Sequence, residues 1–279
     1  RVYQLTSYIS NVCEKLGSLS HLTSLVLHDF QIKPIEIKKS LVNLKSLTKL
    51  SLAGSDIGDT GAKYLTALSN LIILDLSYNG IGNEGARYLS WINNLTELGL
   101  KGNNIDNKGA FYLADLNKLT ILDLANNQIK DIGVEYLSKL SCLNMLYLSS
   151  NQIRDSGVEH LSNLKHLEVL QLDDCMIGSI GVKHISSLSN LIELDLANNL
   201  ITDAGVKHIK SLSQLIKLNL SNNEISKAGT KQLVALEKLE FLELKRTAIT
   251  SLNEFTNFPH LRRLNVSDTL VADLTPIRY

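Results

Sequence analysis

Four carboxylates, Asp75, Asp123, Asp195 and Glu243, stand at the same place in a recurring LxxLxL string, and His160, His184 and His208 recur at a fixed interval further along. Paired carboxylates can do acid–base work, and stacked imidazoles can hold a metal or respond to pH. The spacing argues against both. Asp75 and Asp123 lie two strings apart, about 10 Å if each string is one strand, with Gly99 between them, so the row reads as a solvated acidic edge. The histidine slot holds Tyr64, Tyr88, Tyr112 and Tyr136 in other units. A slot shared by Tyr and His asks for an amphipathic ring beside a buried stripe, and helices about 10 Å apart keep neighbouring imidazoles from sharing one zinc ion. No P-loop, GxGxxG, HExxH, CxxC or nucleophile–base signature occurs. The expectation is a protein with no catalytic residue, metal ligand, cofactor or small-molecule substrate.

The elements that position these residues follow from a period. The LxxLxL strings start at Leu22, Leu47, Leu71, Leu95, Leu119, Leu143, Leu167, Leu191, Leu215, Leu239 and Leu261; eight of the ten steps are 24 residues, the first 25 and the last 22. Within Leu119–Cys142, LTILDLANNQIKDIGVEYLSKLSC, the Leu122–Leu124 alternation is that of a short strand with one buried face. An asparagine follows at Asn79, Asn103, Asn127, Asn151, Asn199 and Asn223, where the chain must turn; its side chain is expected to bond turn backbone and to stack as a ladder. An isoleucine comes two residues later. Glycine then opens each helix, with apolar residues on one stripe (Ala62, Leu65, Leu68; Val134, Leu137, Leu140). Lacking a Cβ, the glycine lets the helix start close against its neighbour. One such unit cannot bury its apolar side, whereas a stack can. Strands about 4.8 Å apart facing helices about 10 Å wide must splay. The predicted fold is therefore a curved, right-handed α/β solenoid, a horseshoe with a parallel sheet on the concave side and helices on the convex side.

These strings resemble the leucine-rich repeat family, over Leu22 to the end of the chain. More narrowly, NGIGNEGARYL (Asn79–Leu89), NNIDNKGAFYL (Asn103–Leu113) and SDIGDTGAKYL (Ser55–Leu65) resemble the ribonuclease-inhibitor-like class and, within it, the GALA-type repeats of effectors that pathogenic bacteria inject into host cells. Many units here carry Gly-Val for Gly-Ala and Leu-Ser for Leu-Ala. From Leu239 the glycine disappears and TSLNEFTNFPH replaces the helix, while Asp273-Leu274-Thr275-Pro276-Ile277 resembles the return of the shorter internalin-like repeats. The resemblance implies a non-enzymatic recognition module of a bacterial effector or adaptor. Its alternative is the substrate-recognition part of a larger enzyme, such as a ubiquitin-ligase-like effector, with the catalytic domain outside this chain.

Bulk composition narrows the partners. With 28 basic and 28 acidic residues the formal charge is zero, so no global field attracts nucleic acid or an anionic membrane, and no apolar run is long enough to span a bilayer. The chain opens on Arg1 rather than Met, which leaves room for a removed leader. Cys13, Cys142 and Cys175 lie far apart, without the clustered cap cysteines of secreted leucine-rich repeat proteins, which points to an intracellular reducing compartment or delivery into a host cytosol. The sequons at Asn94, Asn219 and Asn265 read as coincidence in so Asn-, Leu- and Ser-rich a chain. A monomer is expected.

Residues 1–21 lack the repeat; Val2, Leu5, Tyr8, Ile9, Val12, Leu16 and Leu19 recur at helical spacing, as an N-terminal helical cap requires, ahead of a single repeat domain over 22–279. An upstream domain's tail is the alternative. The first repeat is irregular, with Phe30 in the asparagine slot and Pro34 at the helix start. Two surfaces are candidates for a protein partner. On the concave side Ile121, Met145 and Val169, with Tyr147 and Gln171 beside them and Asp123, Asp173, Asp174 and Asp195 around them, have the composition of an apolar anchor with a polar rim; self-packing of branched strand residues is the alternative. On the convex side Phe111 takes a helix slot that is charged elsewhere, and Trp91 lies four residues beyond Arg87, so an exposed Trp91–Phe111 pair with Arg87 stacked on it is predicted. A plain helix–helix staple would use the same residues. Lys245, Arg246, Arg262, Arg263 and Arg278 make a weaker basic dock for an acidic partner, interspersed with Glu240, Glu243 and Glu254.

Overall fold

A computed structural model describes residues 12–272. It forms two compact units, Arg1–Ile129 and Lys130–Tyr279, each built from the same repeat. In the first unit β1 (Ser24–Val26), β2 (Lys49–Ser51), β3 (Ile73–Asp75), β4 (Glu97–Gly99) and β5 (Ile121–Asp123) pair in parallel and in register, leucine beside leucine. Helices Pro34–Lys39, Gly58–Leu65, Asn83–Leu89 and Asn107–Leu113 return the chain. In the second unit β6 (Met145–Tyr147), β7 (Val169–Gln171), β8 (Glu193–Asp195), β9 (Lys217–Asn219), β10 (Phe241–Glu243) and β11 (Arg263–Asn265) pair in the same way. Its helices are Asp131–Leu137, Asp155–Leu161, Ser179–Ile185, Asp203–Ile209 and Lys227–Leu233. Each unit is thus the layered α/β solenoid that the period predicts, with parallel strands on one side and helices on the other.

Three-residue strands gain little alone. What fixes them is burial: the central leucine of each strand from β1 to β10, the isoleucine after the turn and the helix stripe Ala62, Leu65, Leu68 or Val134, Leu137, Leu140 are shut from solvent, and only the central Leu264 of the last strand is half-exposed. Each large apolar side chain so buried contributes about 1.5–3 kcal/mol.

The asparagines form the expected ladder. Asn103 Oδ1 accepts the Asn79 and Ile81 N–H groups at 3.1 and 2.9 Å, while its Nδ2 donates to the Leu76 and Leu100 carbonyls at 3.0 and 2.9 Å. In the second unit Asn199 and Asn223 do the same for Ile177 and Ile201. Just before this slot every repeat has one residue in the left-handed region, among them Gly102, Asn126, Asp174, Asn198 and Asn222. This turn signal of Asn, Asp and Gly is present in the sequence but lies outside the leucine pattern.

A second ladder was not foreseen. The first residues of one helix cap the next: Asp59 Oδ1 accepts the Gly82 N–H at 2.7 Å, and Asn83 Oδ1 the Asp106 and Gly109 N–H groups at 3.1 and 2.9 Å. In the second unit Asp131 accepts from Arg154, Asp155 from Gly178 and Asp203 from Ser226. The helices therefore start two or three residues before the glycine expected to open them, and the glycine stands inside the first turn, against the capping residue of the preceding helix. A Cβ at Gly157 would stand 2.9 Å from the Asp131 Cα, a contact that backbone cannot relieve.

Residues 12–17 are helical and bury Cys13, while the cap residues Val2, Leu5, Tyr8 and Ile9 lie outside the described residues, as do Asp273 to Ile277 and Arg278. Past Leu239 a short 3-10 turn, Asn253–Asn257, stands where a helix stood before, packed by Phe255 on Phe258 with ring centroids 5.9 Å apart.

Candidate functional site

Strand positions on either side of the buried leucine project from the sheet, and their identity varies from repeat to repeat. In the second unit Met145, Tyr147, Val169, Gln171 and Asp195 all lie on this face, each half-buried. They are neither sealed inside nor fully solvated. The Tyr147 hydroxyl leans on the Met145 sulfur at 3.5 Å, so the tyrosine lies along its own strand. Gln171 Nε2 donates to Glu193 Oε1 at 3.5 Å, and Glu193 pairs with Lys217 at 2.9 Å. The Ser149 hydroxyl donates to Asp173, tying down one of the expected rim carboxylates. Further along, a groove of about 430 Å³ is lined by Glu193, Asp195, Lys217, Asn219, Phe241 and Arg263. Burial pushes the Asp195 carboxyl above its ordinary value, against the Ala197 N–H and Asn219 amide that favour its charged form; Asp173 and Glu193 add to the rise.

In the first unit Ile121 and Asp123 are half-buried on the corresponding face. Burial likewise raises the Asp123 carboxyl, opposed by the Ala125 N–H and Lys101 and assisted by Asp75. Across β1–β3 the same face carries a polar relay that the sequence analysis missed: His28 Nε2 lies 2.7 Å from the Ser51 hydroxyl, which donates to Asp75 at 2.8 Å. Residue types alone suggest a nucleophile and base. However, Ser51 is buried and its proton points at Asp75 rather than His28, so the relay is a cross-strand tie.

On the helix side of the first unit Trp91 is 56% and Phe111 50% exposed, the exposure predicted for them. The Arg87 guanidinium lies 5.5 Å from the Trp91 ring centroid and 4.9 Å from that of Tyr88, and is held by Glu84 at 2.8 Å. Trp91 meets Tyr88 edge-on at 5.4 Å, and Phe111 meets Tyr112 edge-on at 5.6 Å. Arg87 folds over these rings and so is half-buried, whereas Lys63 and Glu135 in its slot are exposed. Another exposed aromatic escaped notice. Tyr78 sits at φ 56° in the left-handed slot, over Gly102, where a Cβ would collide with its ring; an aromatic in a slot of Asn, Asp and Gly is the signal that could have found it.

The Tyr/His slot behaves as read from its residue types: Tyr64, Tyr88, Tyr112 and Tyr136 in the first and second units, and His160, His184 and His208 in the second, are all half-buried. Met176 and Leu200, exposed at 38% and 63% in the turns of the second unit, lie in a slot that the leucine pattern does not mark. Among the described residues no group of three or more His, Cys, Asp or Glu side chains is placed to hold a metal ion, and no helix is long and apolar enough to cross a membrane.

Short parallel strands, a buried amide ladder and a capped helical return define a repeat scaffold whose outward positions carry the variable chemistry. Leucine-rich repeat models match residues 93–153, 165–225, 189–249 and 213–271, and a second model of that name matches 43–65 and 67–90. The chain belongs to the leucine-rich repeat family. The fold is that of protein-interaction modules, which are typically non-enzymatic. No curated protein matches it in sequence. Among solved structures it is similar to an internalin (inlF) of Listeria monocytogenes, at 22% identity and TM-score 0.74 over 96% of this chain and 90% of that one. It is also similar to internalin C2 of the same organism, at 30% identity and TM-score 0.61 over 74% and 84%. A plant peptide hormone receptor, RGFR1 in complex with RGF2, matches at 16% identity and TM-score 0.51 over 92% and 53%.

Proposed function

We propose that this chain is the recognition module of a bacterial effector or adaptor, and that it captures a protein partner on the sheet face of its second unit. Met145, Tyr147 and Val169 anchor the partner there, with Gln171 and Asp195 at the rim. The observation that carries the reading is that this face presents two large adaptable side chains, Met145 and Tyr147, half-open to solvent on alternate positions of one strand, either side of the buried Leu146. A pre-formed surface loses little ordering entropy on binding, and an aromatic with a thioether is an anchor composition. The 30% identity to a Listeria internalin supports a bacterial source, and a complex between a receptor of this fold and RGF2 supports a protein ligand. In the first unit, Ile121 and Asp123 offer a smaller surface of the same kind, and Arg87, Trp91 and Phe111 a second candidate on the helix side.

The test starts with capture on the immobilised chain from bacterial and host-cell lysates, followed by titration of the purified partner. The double substitution Met145→Ala, Tyr147→Ala is expected to weaken binding by about 2–4 kcal/mol with an unchanged circular dichroism spectrum. Undiminished affinity in that variant removes the sheet face from consideration. Loss on Trp91→Ala instead moves the site to the helix side of the first unit.

A further inference from the structure

The outward helix slots of the second unit are segregated by charge. The slot two residues after the glycine of each helix is Glu135 and Glu159 in the first two helices, then Lys183, Lys207 and Lys231 in the next three. Lys210, which caps the helix Asp203–Ile209, adds a fourth ammonium. All four are exposed, and among the described residues none is ion-paired. Asp203, which lines the same side of the helix, is engaged within the fold: it accepts the Ser226 N–H at 2.8 Å and its hydroxyl at 2.5 Å.

Two of these lysines, Lys207 and Lys210, line a depression. Between the helices Asp203–Ile209 and Lys227–Leu233 lies an open groove of about 550 Å³, lined by Lys207, His208, Lys210 and Gln232 with Ala204 and Ala228 among its walls. The slot of those alanines holds Ile132 and Ile180 in other helices of the unit. The groove opens where that slot becomes small, beside the unpaired lysines.

We propose that this groove, on the helix side of the second unit and away from the sheet face assigned above, docks an acidic peptide segment of a partner protein. Adjacent helices are about 10 Å apart, and a peptide in the polyproline II conformation returns a side chain to the same face every three residues, about 9 Å along. Carboxylates at every third position of such a peptide crossing the helices therefore meet Lys183, Lys207 and Lys231 in turn. An open groove with Lys207 and Lys210 on its wall and Lys183 and Lys231 in the same slot of the flanking helices suits one extended chain, and a chain of zero net charge lacks the long-range field that gathers a nucleic acid.

His208 gives the site a pH signature. It is held below its ordinary pKa by burial, then by Lys207, Lys183 and Lys210. Around it are Asp203, Lys207 and Lys210 from its own element, Lys183 from the preceding helix, and Gln232 from the following one. An arriving carboxylate offsets the lysines and favours the imidazolium, so affinity rises as pH falls from 8 to 5.5 while glutamates stay largely ionised.

The probe is a fluorescein-labelled peptide with glutamate at every third position, followed by anisotropy on the whole chain. We expect Lys207→Gln with Lys210→Gln to weaken binding roughly tenfold. Lys101→Gln on the first unit and Met145→Ala with Tyr147→Ala on the sheet face should leave it unchanged, which separates this site from the one assigned above. His208→Gln should flatten the pH dependence. Binding indifferent to the double lysine variant overturns the proposal. So does displacement of the peptide by a single-stranded oligonucleotide, or by phosphatidylserine vesicles, at lower concentration than by unlabelled peptide.

Discussion

The amide rungs and the outward helix slots obey opposite rules. At the rungs Asn103 and Asn199 are buried, and each bonds backbone in its own and the preceding repeat. At the outward slot Arg87, Phe111, Glu159 and Lys207 occupy the same backbone position with no common chemistry. Where the partner is the protein's own backbone, geometry selects one side chain. Where it is solvent or another molecule, the slot is free to differ, and the helix side of the first unit carries aromatics where that of the second carries unpaired lysines. That freedom is what a repeat scaffold offers to function.

The sharpest way to break this contrast is Asn103→Ala. It strands the Asn79 and Ile81 N–H groups and the Leu76 carbonyl away from water, while the Leu100 carbonyl keeps the Asn127 amide at 2.9 Å. The loss should be about 3–5 kcal/mol, read by urea denaturation. Because each repeat leans only on its neighbours, the unfolding curve should also broaden or split. A loss below about 1 kcal/mol would mean that water substitutes for the amide and that the rung is no more demanding than the surface.

A milder change runs the other way. Cys175 occupies a rung, where its thiol donates weakly to the Leu148 carbonyl at 3.7 Å, and burial raises its pKa to about 11 against the Asn151 and Ile153 N–H groups that favour the thiolate. The neighbouring Asn199 donates to three carbonyls, those of Leu172, Leu196 and Ala197. Cys175→Asn should therefore stabilise the chain by about 1 kcal/mol, measured as a higher urea midpoint at unchanged slope. Destabilisation would show that the second unit has repacked around sulfur.

These rungs explain what was legible in the sequence. Leucine spacing and the asparagine slot repeat because backbone geometry repeats, so strands, helices and the ladder could be read directly. The helix-capping aspartates could not: Asp59 looks like an ordinary first-turn acid, and its bond to Gly82 joins residues 23 apart in sequence. The His28–Ser51–Asp75 tie was hidden for the same reason, since its members fall on three repeats. Candidate site residues were legible only as departures from the repeat. That singled out Trp91 and Phe111 in the outward slots, whereas the lysines beside His208 depart in charge pairing, which appears only once the carboxylates are placed.

Asp195 sharpens the comparison at the smallest scale. Burial is the largest cause of its raised pKa, outweighing the Ala197 N–H at 2.9 Å and the Asn219 amide at 3.0 Å. A folded pKa above the unfolded value means that the protonated carboxyl contributes stability below the ordinary value near 3.8, and that this contribution is lost as pH rises through the folded pKa. The neutral, near-isosteric Asp195→Asn should thus be more stable than the parent at pH 7, by less than about 1 kcal/mol, with the gap closing toward pH 3. Thermal unfolding at the two pH values reads this difference; a gap that persists at pH 3 assigns it to packing rather than charge. The same substitution should weaken a partner that brings a cation to this groove. At a rung, stability and binding fall together when the side chain is lost, whereas on the sheet face they move in opposite directions, because the under-compensated carboxylate costs the fold what it offers to a ligand.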